Sequence, residues 1–152
     1  MYERILVPVD GSATAKRGLD EAIAVAAKLS SRLRLVHVID ESSLAMSAGA
    51  FAGDVGDLFT LLREAAQDIL TEAKHRADAG GVPADTVLHD NYSGRVCDQV
   101  IKEATDWRAE LIVIGTHGRR GAGRALLGSD AEQIVRLAPV PVLLVREPGA
   151  AR

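Results

Sequence analysis

The chain has 152 residues, 47% hydrophobic, 26% charged and 3% aromatic, which fits one folded domain with an aliphatic interior. A formal net charge of -3 argues against a general nucleic-acid binder, which would show a net basic face. The single cysteine, Cys97, excludes an internal disulfide and any cysteine-built metal site, and no leader pattern or run of about 20 apolar residues points to membrane insertion, so a cytoplasmic protein is expected.

Arg4 to Val9 is a short apolar run broken by Pro8, the length of a buried parallel strand ending at a loop. Ser12 is placed to cap a helix over Ala13 to Leu29, where Leu19, Ala22, Ile23, Ala26 and Leu29 recur at helical spacing. Arg34 to Ile39 reads as a second strand, whose His37 is expected to be a satisfied core histidine. Ser42 to Gly56, rich in Ser, Ala and Gly and without a period, reads as a mobile loop. Leu58, Leu61, Leu62, Ala65, Ile69, Leu70 and Ala73 mark the apolar face of a long helix that ends at Gly80-Gly81. Thr86 to His89 is predicted as a third strand, and Val96, Val100, Ile101 and Ala104 as the face of a helix running to about Trp107. Glu110 to Ile114 is the fourth strand, a helix opens at Gly128 and continues over Asp130 to Leu137, and Val140 to Val145 is the fifth strand.

This alternation predicts an α/β fold: a single Rossmann-like domain over 1–147, a five-stranded, mostly parallel sheet with helices on both faces, and a polar tail over 148–152. Ligands in such sheets bind beyond the carboxyl ends of the strands, the edge where Asp10, Val38 and Gly115 lie. The last strand is left at a sheet edge, where it can pair with a second copy to form a homodimer.

Gly115-Thr116-His117-Gly118 closes the fourth strand and is followed by nine residues before Gly128-Ser129 opens a helix. Glycines allow positive φ and close approach of backbone to a ligand, and a helix N-terminus offers N–H groups and partial positive charge to phosphate. Arg119, Arg120 and Arg124 lie between these glycines with no acid among them. No GxxxxGK[ST] is present, and Gly121-Ala122-Gly123 lacks the third glycine of a dinucleotide fingerprint.

The spacing Gly115-x2-Gly118-x9-Gly128-Ser129 resembles the nucleotide-binding signature of the universal stress protein family, in its ATP-binding branch. Ile5-Leu6-Val7-Pro8-Val9-Asp10-Gly11-Ser12, Leu35-Val36-His37-Val38-Ile39-Asp40 and Pro139-Val140-Pro141-Val142-Leu143-Leu144-Val145 resemble the first, second and last strands of that family, and Gly94 stands where its members commonly have a glycine. The resemblance implies a sheet of the adenine nucleotide alpha hydrolase type, a homodimer, and ATP as ligand. It places Gly115, Gly118, Gly128, Ser129 and Ala131 around the phosphates, Asp10 at the ribose hydroxyls, Pro8 and Val9 as pocket walls, and the Val38 backbone at the adenine edge.

Alternatives stand beside several of these assignments. Asp10 serves either the ribose or the N-terminus of the first helix, and Pro8, Val9 and Val38 are either pocket or core. His117 either touches phosphate or caps the strand end, while Arg119 is the arginine best placed to reach phosphate. Asp130 departs from the family, which commonly has a small or apolar residue there. Its carboxylate would compete with phosphate for the same donors, unless it turns outward or a Mg²⁺ ion bridges the two; otherwise nucleotide binds weakly.

No GxSxG elbow, HExxH helix or closely spaced carboxylate pair occurs, so no catalytic or metal-ligating residue is assigned. The expected function is that of an ATP-binding, stress-response or regulatory module whose output is read by an unidentified protein partner. The alternatives are a slow Mg-dependent ATPase or phosphotransferase, and a dimeric interaction module that binds no nucleotide.

Overall fold

A computed structural model describes residues 1–91, 94–116 and 127–146. Five strands, β1 (Arg4–Pro8), β2 (Arg32–Val38), β3 (Ala84–His89), β4 (Leu111–Gly115) and β5 (Val142–Val145), form one sheet in the order β3-β2-β1-β4-β5. Every pairing in this sheet is parallel. The helices are α1 (Ala13–Leu29), α2 (Glu41–Ala48), α3 (Val55–Ala79), α4 (Val96–Asp106) and α5 (Ser129–Leu137). The architecture is the Rossmann-like α/β sheet that the alternation predicts.

Successive side chains of a strand point to opposite faces, and here both faces are covered. Ile5, Val7, Leu33 and Leu35 pack with Leu19, Ala22 and Ala26 of α1 and Leu70, Ala73 and Ala77 of α3. Leu6, Val36, Ile112 and Ile114 pack on the other face with Val100 and Ala104 of α4 and Ala131 and Ile134 of α5. β1 and β4 therefore read as continuous apolar runs rather than as alternating ones.

Ser12 caps α1 as expected, its side chain accepting from the Ala15 N–H. β2 and β3 each start two residues before their predicted beginnings: Arg32 donates its N–H to the Glu3 carbonyl and Leu33 donates to that of Pro83. β5 starts at Val142 rather than Val140. Pro139 and Pro141 have no N–H to give a ladder, although the Pro141 carbonyl still accepts from Ile112.

The larger correction concerns 42–56, predicted as a mobile loop. It contains most of α2 and the first residues of α3. Asp40 caps α2, accepting from the Ser43 N–H at 2.9 Å, and Glu41 favours the positive end of the helix dipole. Because α2 buries no residue, it needs no apolar stripe, and the periodicity used to find helices is missing from its sequence.

A polar network fastens α4 to the β3 side of the sheet. The Arg34 guanidinium donates to both carboxylate oxygens of Asp85 at 2.9 and 2.7 Å and to Glu103 at 2.9 Å, and lies 4.6 Å from the centroid of the Trp107 ring. Glu103, largely buried, also bonds His89 Nε2 at 3.0 Å. The hydrogen bond to Asp85 leads in raising the Arg34 pKa above its usual value, against the opposing effect of burial. Among the described residues no helix is long and apolar enough to cross a membrane.

Candidate functional site

The site begins in the turn after β1. Gly11 has φ +79, a left-handed conformation that glycine adopts without strain, and Asp10 Oδ1 accepts from the Ser12 N–H at 2.8 Å. Capping of α1 belongs to Ser12, whose Oγ accepts from Ala15 at 3.2 Å, while Asp10 braces the turn from one carboxylate oxygen.

The turn meets the end of β4 at close range. A Cβ on Gly115 would stand 2.6 Å from the Thr14 carbonyl oxygen, and one on Gly18 3.1 Å from the Gly115 nitrogen. The first turn of α1 thus rests directly on β4, so Gly115 is demanded by packing as well as by any ligand. Beyond it, Thr116 donates its N–H to the Val145 carbonyl at 3.0 Å, and its own carbonyl accepts from the Gly128 N–H at 2.8 Å. Gly128 is the N-cap of α5 and supplies no side-chain bond to the first-turn N–H groups.

Where the strand order reverses, between β1 and β4, these pieces surround a cavity of about 340 Å³. Val36, Val38, Val96, Val100, Ile114 and Ile134 give it an apolar floor. One end is closed by Met46 and Ser47 of α2 and Leu62 of α3, the other by Gly128, Ser129 and Asp130 at the start of α5. His37, buried in the wall, donates from Nδ1 to the Val9 carbonyl at 2.7 Å; a carbonyl only accepts, so this nitrogen carries the proton. The histidine is bonded within the core, as its strand position suggests.

Pro8, Val9, Asp10, Val38, Gly115, Gly128, Ser129, Asp130 and Ala131, all singled out in the sequence, line this one cavity. His117, Gly118 and Arg119 lie outside the described residues, as do Arg120 and Arg124. Sequence reasoning missed the α2 wall of Ser42, Ser43, Met46 and Ser47, and gave Asp40 no role at the site. The signal was available: an Asp followed by Glu-Ser-Ser is a helix-capping pattern.

Asp10, Asp40 and Asp130 bring three carboxylates to the lining, and among the described lining residues there is no Lys or Arg. Arg95, the N-cap of α4, stands within electrostatic reach of Asp130. Its pKa is raised, first by its hydrogen bond to Asp98 and in smaller part by Asp130. Among the described residues no group of three His, Cys, Asp or Glu side chains is gathered to hold a metal ion.

The family model of the universal stress protein family matches residues 1–146. The chain is 32% identical over 149 residues to Universal stress protein MJ0531 of Methanocaldococcus jannaschii, covering 97% of this chain and 84% of that protein. Its fold is similar to the solved structure of MJ0577 from the same organism, with a TM-score of 0.83, 27% identity and 99% of each chain covered. It is also similar to a universal stress protein solved in complex with cAMP, with a TM-score of 0.66, 25% identity, and 95% of this chain and 97% of that one covered. Matched over nearly its whole length in sequence and in fold, the chain belongs to the universal stress protein family.

Proposed function

We propose that this protein binds an adenine nucleotide, with ATP as the first candidate, and acts as a nucleotide-dependent regulatory module. The observation that carries this reading is the cavity at the strand-order reversal, with an apolar floor over β2 and the free N–H groups of the α5 N-terminus over β4. Two strand spacings, roughly 10 Å, separate those ends, which suits a base at one and a phosphate at the other. Its size lies within the range of small-molecule sites. The family member solved with cAMP supports an adenine nucleotide as the class of ligand.

Within this reading Asp10 meets the ribose, and the first-turn N–H groups of Ser129, Asp130 and Ala131 meet phosphate. Asp130 introduces a carboxylate where negative charge should bind. Asp130 would be the residue to hold a Mg²⁺ ion, which takes oxygen ligands and keeps several waters and would offset that charge. β5, an edge strand with a half-buried apolar row, pairs two copies into a homodimer, and the nucleotide-dependent surface is read by a protein partner.

Mass spectrometry of the denatured, purified protein, followed by calorimetric titration with ATP and Mg²⁺, tests the ligand. Retained or titratable nucleotide at one site per chain is expected. If nothing is retained and no heat is released, the reading fails.

A further inference from the structure

We infer that α2 reads the base edge of the nucleotide and selects a 6-amino over a 6-oxo purine, an inference that rests on the nucleotide reading above. The carrying observation is the direction of three hydrogen bonds at the start of the helix. Ser42 Oγ donates to Asp40 Oδ2 at 2.5 Å, Ser43 Oγ donates to Asp40 Oδ1 at 2.5 Å, and the Ser43 N–H donates to the same Oδ1 at 2.9 Å. A serine hydroxyl has one hydrogen and two acceptor lone pairs, and a carboxylate only accepts. With their hydrogens committed to Asp40, both hydroxyls have only acceptor capacity left for a ligand.

Asp40, Ser42 and Ser43 all line the cavity at the end away from α5. There the floor is made by Val38 and Val100 and the lip by Met46, an apolar slot suited to a flat ring. The α2 wall therefore offers that ring acceptors from Ser42 and Ser43. The exocyclic amino group of adenine donates, while the carbonyl oxygen of hypoxanthine or guanine at the same position accepts and meets these lone pairs unfavourably. For a hydroxyl to turn and donate to a 6-oxo group, it must give up a short, charge-assisted bond. Ser47, one turn along, has no side-chain hydrogen bond among the described residues and can serve either edge, so it does not discriminate.

The other route to selectivity is the backbone at Val38, which the substitutions below leave in place. Inosine triphosphate presents an accepting O6 where ATP has the donating 6-amino group, and an N1–H where ATP has an accepting N1, and is the probe. Titration calorimetry with ATP and with inosine triphosphate, each with Mg²⁺, is run on the wild type, on Asp40→Asn and on the double variant Ser42→Ala/Ser43→Ala. Asparagine still caps a helix, so α2 keeps its N-terminus, and far-UV circular dichroism checks this. Its amide can donate, which frees the serine hydroxyls to turn.

The wild type is expected to prefer ATP by about tenfold or more, as when a buried acceptor is left unpaired by the wrong partner. Both variants should bring the ratio close to unity. Variants that bind ATP and keep the wild-type ratio overturn the inference and leave the nucleotide reading standing, as does a wild type with no preference. A wild type that binds neither nucleotide removes the nucleotide reading and this inference with it.

Discussion

The Gly128 N–H donates to the Thr116 carbonyl at 2.8 Å, so the chain leaving β4 is brought back to its own starting point just as α5 begins. This bond, rather than a side-chain cap, sets the direction in which the first turn of α5 faces the cavity. Gly128→Pro removes the donor, whereas Gly128→Ala keeps it and is compatible with the φ of -59 at this position. ATP affinity should fall about tenfold in the proline variant and hold in the alanine variant, a loss of roughly 1.4 kcal/mol by titration. Equal affinity in both variants would detach the bond from binding.

Gly115 and Gly18 predict different outcomes for the same substitution. Alanine at Gly115 drives a Cβ to 2.6 Å from backbone at Thr14, where no flexible side chain can yield, and should cost about 1–3 kcal/mol. At Gly18 the contact is 3.1 Å and the helix gains up to about 1 kcal/mol of propensity, so stability should stay within about 1 kcal/mol of the wild type. Urea midpoints for the two variants decide the matter, and a Gly115→Ala protein as stable as the wild type would contradict it.

For Asp10, asparagine is the informative replacement because its side-chain oxygen still accepts from Ser12 and holds the turn. If the carboxylate accepts from ribose, the wild type prefers ATP over 2′-deoxy-ATP, and Asp10→Asn lowers ATP affinity by about tenfold while narrowing that preference. Parallel losses for both nucleotides would assign Asp10 to the turn alone.

Removing Arg34 strands the largely buried Glu103, which would keep only His89 from this network. Arg34→Met preserves the stem that covers the indole and should destabilise the fold by about 2 kcal/mol, as for the loss of a hydrogen bond to a charged group. Trp107, the one tryptophan of the chain, reports unfolding by its emission. A midpoint unchanged from the wild type would mean the network adds nothing net.

Cys97 is fully buried, and that burial is the first cause of a thiol pKa raised above its ordinary 9.0. Well below pH 9 the thiol is neutral in both folded and unfolded chains. As pH rises through 9 the unfolded chain ionises first, so the stability contributed by the buried neutral thiol declines. The wild type should therefore lose more stability between pH 8 and 10.5 than Cys97→Ala, measured by urea unfolding, and identical slopes would refute the assignment.

The main frame of this fold was legible because a parallel sheet covered on both faces writes its strands as unbroken apolar runs. Leu6 and Ile112 sit in such runs, and each is fully buried. Strand starts were harder to place where ladder bonds run to polar or proline residues, as at Arg32 and Pro141. The glycine spacing led to the cavity at Gly115 and Gly128, but Gly115 also has a packing cause that spacing alone does not reveal. α2 was missed because a helix that buries nothing leaves no periodic trace, and its only mark was the cap at Asp40.

That same lack of buried residues gives α2 a particular evolutionary standing. The core does not depend on its side chains, so Ser42, Ser43, Met46 and Ser47 can drift without unfolding the domain. A lineage can therefore change what the cavity accepts by rewriting one short exposed helix, while the strands and the floor they carry pass on unaltered.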